Sequence, residues 1–143
     1  MPSACAGAPP LGILTTAGGL CLGAAAGSAS GTPVQVQTCT AGSAAQTWQV
    51  IPATASSTQT SVYNPATKLC LDVSGGYTAS GSKLQLYTCN GSGAQQWAVP
   101  AQTGPLSSGL GTAICAASSG AAGTQAVTQN PCTTSQWRFT PKA

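Results

Sequence analysis

The chain of 143 residues is long enough for one domain, and its four cations, single acid and lack of histidine leave few groups for chemistry. One carboxylate cannot supply the acid pair of a glycoside hydrolase, and without histidine neither a Ser-His-Asp site nor a zinc site of the usual kind can be built. Four scattered cations also form no patch able to neutralise several phosphates, so we expect a non-catalytic chain without metal, cofactor or nucleic-acid partner.

The chain opens with residues 1–18, which we interpret as an N-terminal segment followed by the first strand, and residues 19–143 are expected to form a single domain. No run of apolar residues approaches the ~18 needed to cross a membrane, so no span is predicted. Cys5 lies in this first segment. It has no partner in the pattern described next, and we expect it either to stay a free thiol or to link to a partner chain.

Three successive segments share one pattern, and we place them at about residues 10–55, 56–103 and 104–143. Each has a cysteine between small or aliphatic residues, an alternating apolar and polar run that leads to a second cysteine, and then a Gln-x-Trp motif. The third motif is degenerate because Ser135 stands where the first two repeats have Gln46 and Gln95. Every tryptophan of the chain falls in register: Trp48, Trp97 and Trp137.

Within the repeats, the alternation of apolar and polar residues is typical of half-buried strands, and clusters of Gly, Ser, Thr, Asn and Pro between them predict turns. No segment has helical periodicity. We therefore predict an all-β chain of about 12 short strands, in which three units close around a pseudo-threefold axis as a β-trefoil. The tryptophans are expected in the shared core, and both Gln46 and Gln95 are expected to hydrogen-bond the backbone there.

Six of the seven cysteines repeat with the same pattern, one pair in each unit. No Cys-x-x-Cys or Cys/His spacing suggests a metal. We therefore predict three disulfides within the repeats, which require an oxidising compartment and indicate a secreted protein. The expected pairs are Cys21 with Cys39, Cys70 with Cys89, and Cys115 with Cys132.

The Gln-x-Trp motifs, and above all the CLDV, QLYTCNG and QQW runs of the middle repeat, resemble the ricin-B lectin and carbohydrate-binding module family. The resemblance covers about residues 19–140. It implies a β-trefoil with up to three sugar sites, one in each repeat. At the positions that form the pocket in this family, the middle repeat carries Asp72, Tyr87 and Gln95.

The chemistry of these residues suits a sugar. A carboxylate such as Asp72 accepts two charge-assisted hydrogen bonds from neighbouring hydroxyls, and Tyr87 offers a flat face to a pyranose ring. The amides of Gln85, Asn90 and Gln95 both donate and accept, as hydroxyls do. Simpler explanations also stand: Asp72 could cap a turn, Tyr87 could be an ordinary strand residue, and Asn90-Gly91 could form a turn or a glycosylation sequon with Ser92.

The other two repeats lack this set. Gly23 and Ala117 stand in the place of Asp72, and Gln37 and Asn130 in the place of Tyr87. We therefore expect one competent site, in the middle repeat. Ala94 weakens it, because many members of the family have an Asn at that position.

Two functions remain open from the sequence. The first is a lectin or carbohydrate-binding module for galactose-type or xylan-type glycans, either free or attached to a secreted glycoside hydrolase. The second is an extracellular structural or protein-binding trefoil, such as an assembly subunit or protease inhibitor, with vestigial sugar sites.

Overall fold

A computed structural model describes residues 10–25, 29–52, 60–100, 103–111, 113–118, 121–132 and 136–141. Cys5 and Ser135 lie outside these ranges. In the described residues, the regular structure consists of 13 strands and three short 3₁₀ turns. The first four strands are β1 (Leu11–Thr16), β2 (Leu20–Ala24), β3 (Val34–Thr38) and β4 (Trp48–Pro52). The next four are β5 (Thr60–Asn64), β6 (Leu69–Val73), β7 (Leu84–Tyr87) and β8 (Trp97–Ala98). The last five are β9 (Ser107–Ser108), β10 (Cys115–Ala117), β11 (Thr124–Gln125), β12 (Val127–Gln129) and β13 (Trp137–Pro141). The 3₁₀ turns are Ala44–Gln46, Ser74–Gly76 and Gly93–Gln95.

Six strands form a closed barrel. Antiparallel pairing runs from β13 to β1, β4, β5, β8 and β9 in turn. A bridge between Gly104 and Trp137 closes the ring. Along β5 the buried and half-buried residues alternate strictly, which is the period expected of a strand with one face on the core. Closure leaves these strands without a free edge, which satisfies the backbone of short strands that could not form a stable sheet alone.

Three hairpins complete the fold: β2 with β3, β6 with β7, and β10 with β12. Each hairpin loop contains an Ala-x-Gly-Ser/Thr turn, whose glycine has a φ between 87° and 96° that favours this residue. The glycine amide of each turn donates to a carbonyl of the following repeat, linking the three hairpins in a closed ring. These bonds run from Gly31 to Leu86, from Gly81 to Thr128 and from Gly123 to Val36.

The three tryptophans lie in the core and are at most 1% exposed. Each indole nitrogen donates to the carbonyl of the residue that follows the first cysteine of its own repeat, at 2.8 to 3.1 Å. A buried tryptophan with a satisfied N–H contributes a large apolar surface without leaving a polar group unpaired. The acceptors are Leu22 for Trp48, Leu71 for Trp97 and Ala116 for Trp137.

Each repeat also contains one disulfide between the first and second of its repeated cysteines. In the chain-entropy model a loop of this size contributes ~3 kcal/mol of stability. The bonds join Cys21 to Cys39, Cys70 to Cys89 and Cys115 to Cys132. The prediction of an all-β trefoil with three repeats is confirmed, and the closed barrel explains why no helix is needed to cover the sheet.

One residue equivalence expected from the sequence is wrong. In the middle repeat Tyr87 lies opposite Cys70, whereas in the third repeat the residue opposite Cys115 is Gln129. The counterpart of Tyr87 is therefore Gln129, and Asn130 lies one position beyond the strand.

The third hairpin differs in length on both sides of β12, and the extra residue on its C-terminal side causes the wrong equivalence. Ten positions separate the paired residues Ala117 and Val127, three fewer than between their counterparts in the middle repeat. One more residue then precedes the second cysteine. Asn130 instead connects two repeats, because its Nδ2 donates to the carbonyl oxygen of Thr78 at 2.7 Å.

Candidate functional site

A cleft of about 580 Å³ lies in the middle repeat, within the size range of small-molecule sites. Asp72 from β6 and Gln85 and Tyr87 from β7 line it together with Asn90. Segments 74–76 and 92–94 and Leu110 form the rest of its wall. Four of the five residues predicted to bind sugar are thus brought together in one cleft.

Asp72 reaches the cleft because of its place in β6. Leu71 and Val73, its neighbours in the strand, are fully buried in the core, so the alternation of the strand directs Asp72 to the opposite side. It is only 6% exposed. Its Oδ2 accepts a hydrogen bond of 2.8 Å from Nε2 of Gln85, which is its direct cross-strand partner.

Burial raises the pKa of Asp72 above its ordinary value, because desolvation disfavours the charged carboxylate. Hydrogen bonding from the side chains of Gln85 and Gln95 acts in the opposite direction and offsets part of this effect. Within the described residues, no cation contributes to this shift of the pKa. The carboxylate is therefore a strong acceptor whose remaining hydrogen-bonding capacity is open to a ligand.

Tyr87 and Asn90 lie at the open side of the cleft. The Tyr87 side chain is 42% exposed, although it is paired in a strand opposite a disulfide cysteine. The Oδ1 of Asn90 accepts from the amide of Ser92 at 2.9 Å, which fixes the turn. Its Nδ2 is then the polar group that Asn90 can offer to a ligand.

Gln95 has a different place. It is 1% exposed and does not line the cleft. Its Oε1 accepts from the amide of Asn90 at 2.7 Å, and its Nε2 donates to the carbonyl of Thr88 at 2.8 Å. Gln95 therefore holds the turn that carries Asn90 and supports Asp72 from behind the cleft.

Gln46 makes the same pair of bonds in the first repeat, where no carboxylate is present. Its Oε1 accepts from the amide of Thr40 at 2.9 Å, and its Nε2 donates to the carbonyl of Thr38 at 3.0 Å. This conserved geometry between two repeats shows that the first Gln of the motif has a structural role in both.

In the first repeat, the space equivalent to that of the Asp72 side chain is filled from within. A Cβ on Gly23 would collide with the amide of Gln37 and would lie 2.9 Å from Cγ of Gln46. Gln37, the counterpart of Tyr87, thus turns inward into the volume that Asp72 occupies in the middle repeat. Its Oε1 accepts from Gln46 at 2.9 Å, and its Nε2 donates to the carbonyl of Ala24 at 2.9 Å.

The third repeat differs again. Ala117 and Val127 form the cross-strand pair where the middle repeat has Asp72 and Gln85. Both positions that are polar in the middle repeat are therefore apolar in the third, which presents neither a carboxylate nor an amide at this pair.

Several residues of the cleft escaped the sequence analysis. Leu110 comes from the third repeat, and patterns within one repeat contain no information about that contact. The turn Ser74–Gly76 packs near the turn Gly93–Gln95, which brings two loops of the middle repeat to the same rim. A clue was available in Gly75-Gly76, since adjacent glycines after a buried strand are typical of a tight turn that exposes backbone.

Within the described residues, no group of three or more histidine, cysteine, aspartate or glutamate side chains is placed to hold a metal ion. No helix in the same residues is long and apolar enough to cross a membrane.

Comparison with solved structures gives the fold. The designed threefold-symmetric protein ThreeFoil is 16% identical with a TM-score of 0.77, over 90% of this chain and 96% of that one. The Rhizoctonia solani agglutinin is 17% identical with a TM-score of 0.78, over 94% and 96%. The Polyporus squamosus lectin, solved with Neu5Acα2-6Galβ1-4GlcNAc, is 16% identical with a TM-score of 0.76. That match covers 92% of this chain but only 49% of the lectin.

Comparison with family models gives two overlapping matches. Residues 58–143 match the ricin-type beta-trefoil lectin domain, and residues 11–87 match the ricin-type beta-trefoil lectin domain-like model. No curated protein sequence matches the chain. Each family match covers more than half of the chain, and together they include all three repeats. The chain therefore belongs to the family of ricin-type β-trefoil lectin domains.

Proposed function

We propose that this chain is a non-catalytic carbohydrate-binding domain with one competent sugar site, the cleft of the middle repeat. The observation that carries the proposal is the position of Asp72. The only side-chain carboxylate of the chain is buried at this cleft, hydrogen-bonded by Gln85 and accompanied by the exposed ring of Tyr87.

Each group has a defined part in binding. Asp72 accepts hydrogen bonds from two adjacent hydroxyls, and its low exposure strengthens these bonds because little water competes for them. Gln85 donates its Nε2 to Asp72, which leaves its Oε1 to accept from the sugar. Tyr87 stacks on the apolar face of the ring, and the Nδ2 of Asn90 donates to a hydroxyl oxygen. Gln95 positions Asp72 and the Asn90 turn without contacting the sugar.

A single shallow site of this kind predicts weak binding, with a Kd of about 10⁻³ to 10⁻⁵ M. Useful retention on a glycan would then need several copies, on one larger protein or on a repetitive polysaccharide. We infer galactose-type or xylan-type sugars as ligands. The Polyporus lectin, with the same fold, was solved with a galactose-containing glycan, which supports the first class.

We infer that the protein works outside the cell or in another oxidising compartment. Three disulfides would not persist in a reducing cytosol, and Ser, Thr, Asn and Gln rather than charges must keep the surface hydrated.

The test compares the parent with Asp72→Asn by glycan array and by calorimetric titration with galactose, lactose, xylose and xylohexaose. The substitution preserves size and removes the charge, so we expect at least a tenfold loss of affinity for the sugar that binds. A matched pair of variants controls for damage to the hairpin: Gln85→Ala in the middle repeat and Gln35→Ala at the equivalent place in the first.

Only Gln85→Ala should weaken binding. Equal binding by the parent and Asp72→Asn would refute the assignment of the site. Binding lost in Gln35→Ala instead would move the site to the first repeat.

The alternative function, a structural or protein-binding trefoil, is favoured by one observation: in the first repeat, Gln37 fills the space that the carboxylate occupies in the middle repeat. A chain that had abandoned sugar binding would be expected to show such filling in all three repeats, and the middle repeat has an open cleft. Failure of the parent to bind any glycan on the array would favour this alternative.

A further inference from the structure

A second exposed aromatic ring lies beside the proposed sugar site. Among the described residues, the large hydrophobic side chains with high exposure are Leu11 at 40%, Tyr87 at 42% and Tyr77 at 67%. Leu11 borders a different cleft on β1. Tyr77 has the most exposed ring of the three and belongs to no part of the core.

The position of the Tyr77 ring is defined by its contact with Gly75. A Cβ on Gly75 would overlap the ring, so the ring occupies the space that a side chain at this position would take. Gly75 and Gly76 themselves line the cleft that contains Asp72. The ring of Tyr77 therefore packs on the glycine turn that borders the cleft, next to the residues that line it, and about two thirds of the residue's surface is open to solvent.

Core packing does not account for this ring. A residue with 67% exposure buries little apolar surface, so its contribution to stability is small. A tyrosine fixed on a loop and open on one face is instead well suited to stack on a pyranose, since the ring is rigid and loses little conformational freedom on binding.

We propose that Tyr77 forms a second stacking surface, for the sugar residue next to the one held at Asp72. The inference rests on the proposed function and defines its ligand class: an oligosaccharide or polysaccharide with at least two contiguous pyranose rings. Tyr87 then stacks on the sugar bonded to Asp72, and Tyr77 stacks on the next sugar of the glycan.

The experiment measures, by titration calorimetry, the ratio of affinities for an oligosaccharide and its monosaccharide: lactose against galactose, and xylohexaose against xylose. The parent, Tyr77→Ala and Tyr77→Phe are compared, and Leu11→Ala serves as a control that truncates a similarly exposed apolar side chain elsewhere. For the parent we expect the oligosaccharide to bind more tightly than its monosaccharide in one of the two series. Tyr77→Ala should lower the ratio about three- to tenfold, whereas Tyr77→Phe and Leu11→Ala should keep it.

The outcomes separate the two proposals. If Asp72→Asn abolishes binding but Tyr77→Ala leaves the ratio as in the parent, the sugar site stands and the second surface is refuted. If Tyr77→Phe lowers the ratio as much as Tyr77→Ala, the phenol hydroxyl and not stacking is responsible, and the proposal is wrong in its chemistry. If the parent binds none of the four sugars, the proposed function fails and this inference fails with it.

Discussion

The first and middle repeats have the same scaffold, but equivalent side chains beside their hairpins point in opposite directions. Both have the hairpin, the disulfide, a buried tryptophan and a glutamine that bridges the turn after the second cysteine. In the middle repeat the residue opposite the first cysteine, Tyr87, points outward and Asp72 faces a cleft. In the first repeat the equivalent Gln37 folds inward, and Gly23 leaves the space for it.

The difference shows how the space of a buried carboxylate can be filled by another side chain without damage to the fold. Removing a carboxylate from such a pocket would leave one N–H of the bridging glutamine's amide without an acceptor, at a cost of about 1–3 kcal/mol. In the first repeat Gln37 Oε1 supplies that acceptor, 2.9 Å from the Nε2 of Gln46. The pair of Gly23 and Gln37 therefore behaves as a unit, and changing one member alone should be harmful.

The largest expected effect follows from breaking that unit. Gly23→Asp would place a side chain and a charge in the volume filled by Gln37. Overpacking together with a poorly solvated carboxylate should lower the free energy of unfolding by about 2–4 kcal/mol. Urea denaturation of the parent, Gly23→Asp and the double variant Gly23→Asp/Gln37→Tyr measures it. The double variant should recover most of the loss, because the outward tyrosine vacates the space. Equal stability of the single variant and the parent would show that Gln37 leaves its inward position freely.

The next effect concerns the glutamines that the two repeats share. Gln46→Ala and Gln95→Ala each remove two partly buried hydrogen bonds to the backbone, so each should cost about 1–3 kcal/mol. The side chain of the half-buried Gln96 donates to the carbonyl of Gly91 at 3.0 Å in an exposed bond, so Gln96→Ala is the control, with an expected cost below ~1 kcal/mol. A much smaller loss in Gln95→Ala than in Gln46→Ala would contradict the common structural role and indicate that Gln95 serves the ligand.

A third prediction moves the site from one repeat to the other. In an Asp72→Ala background, Gly23→Asp/Gln37→Tyr should restore sugar binding, because Gln35 and Gln46 already stand where Gln85 and Gln95 do in the middle repeat. We expect affinity within about tenfold of the parent, measured by calorimetry with the sugar that the parent binds. The first repeat has Thr40 in place of Asn90, so we expect the transferred site to bind the sugar somewhat more weakly than the parent site does. Absence of binding in a variant that folds normally would show that the cleft also requires the 74–76 and 92–94 segments of the middle repeat.

Much of this architecture was predictable because it repeats. Period-two alternation defined the strands, and three cysteine pairs and three tryptophans in register defined the threefold fold. Asp72 could be singled out because it is the chain's only acid.

What the sequence did not reveal depends on side-chain direction and on contacts between repeats. Gln37 and Tyr87 occupy the same register position, and only packing against Gly23 turns one of them inward. Gln129 replaces Asn130 as the third counterpart because one extra residue stands between β12 and the second cysteine, so counting back from that cysteine misleads. Leu110 enters the site from another repeat, a contact fixed by barrel closure.

The smallest expected effect is the pH dependence that Asp72 gives to sugar affinity and to stability. Desolvation raises the pKa of the free Asp72 carboxyl above the ordinary value of 3.8, and hydroxyls that donate to the charged form should lower it again in the complex. Sugar affinity should therefore weaken as the pH falls through the raised pKa, by less than tenfold per pH unit.

The stability of the sugar-free protein should change with pH in the opposite direction. A raised pKa means that the folded state binds the proton more tightly than the unfolded state, so this group favours folding at acidic pH and loses that contribution as the pH rises through the folded pKa. Titrations and urea midpoints between pH 7 and pH 4, with Asp72→Asn as the control that cannot titrate, should show affinity and relative stability of the parent moving in opposite directions. Parallel loss of both on acidification would mean that Asp72 is stabilised as the charged form, and the cleft would then be better solvated than its geometry indicates.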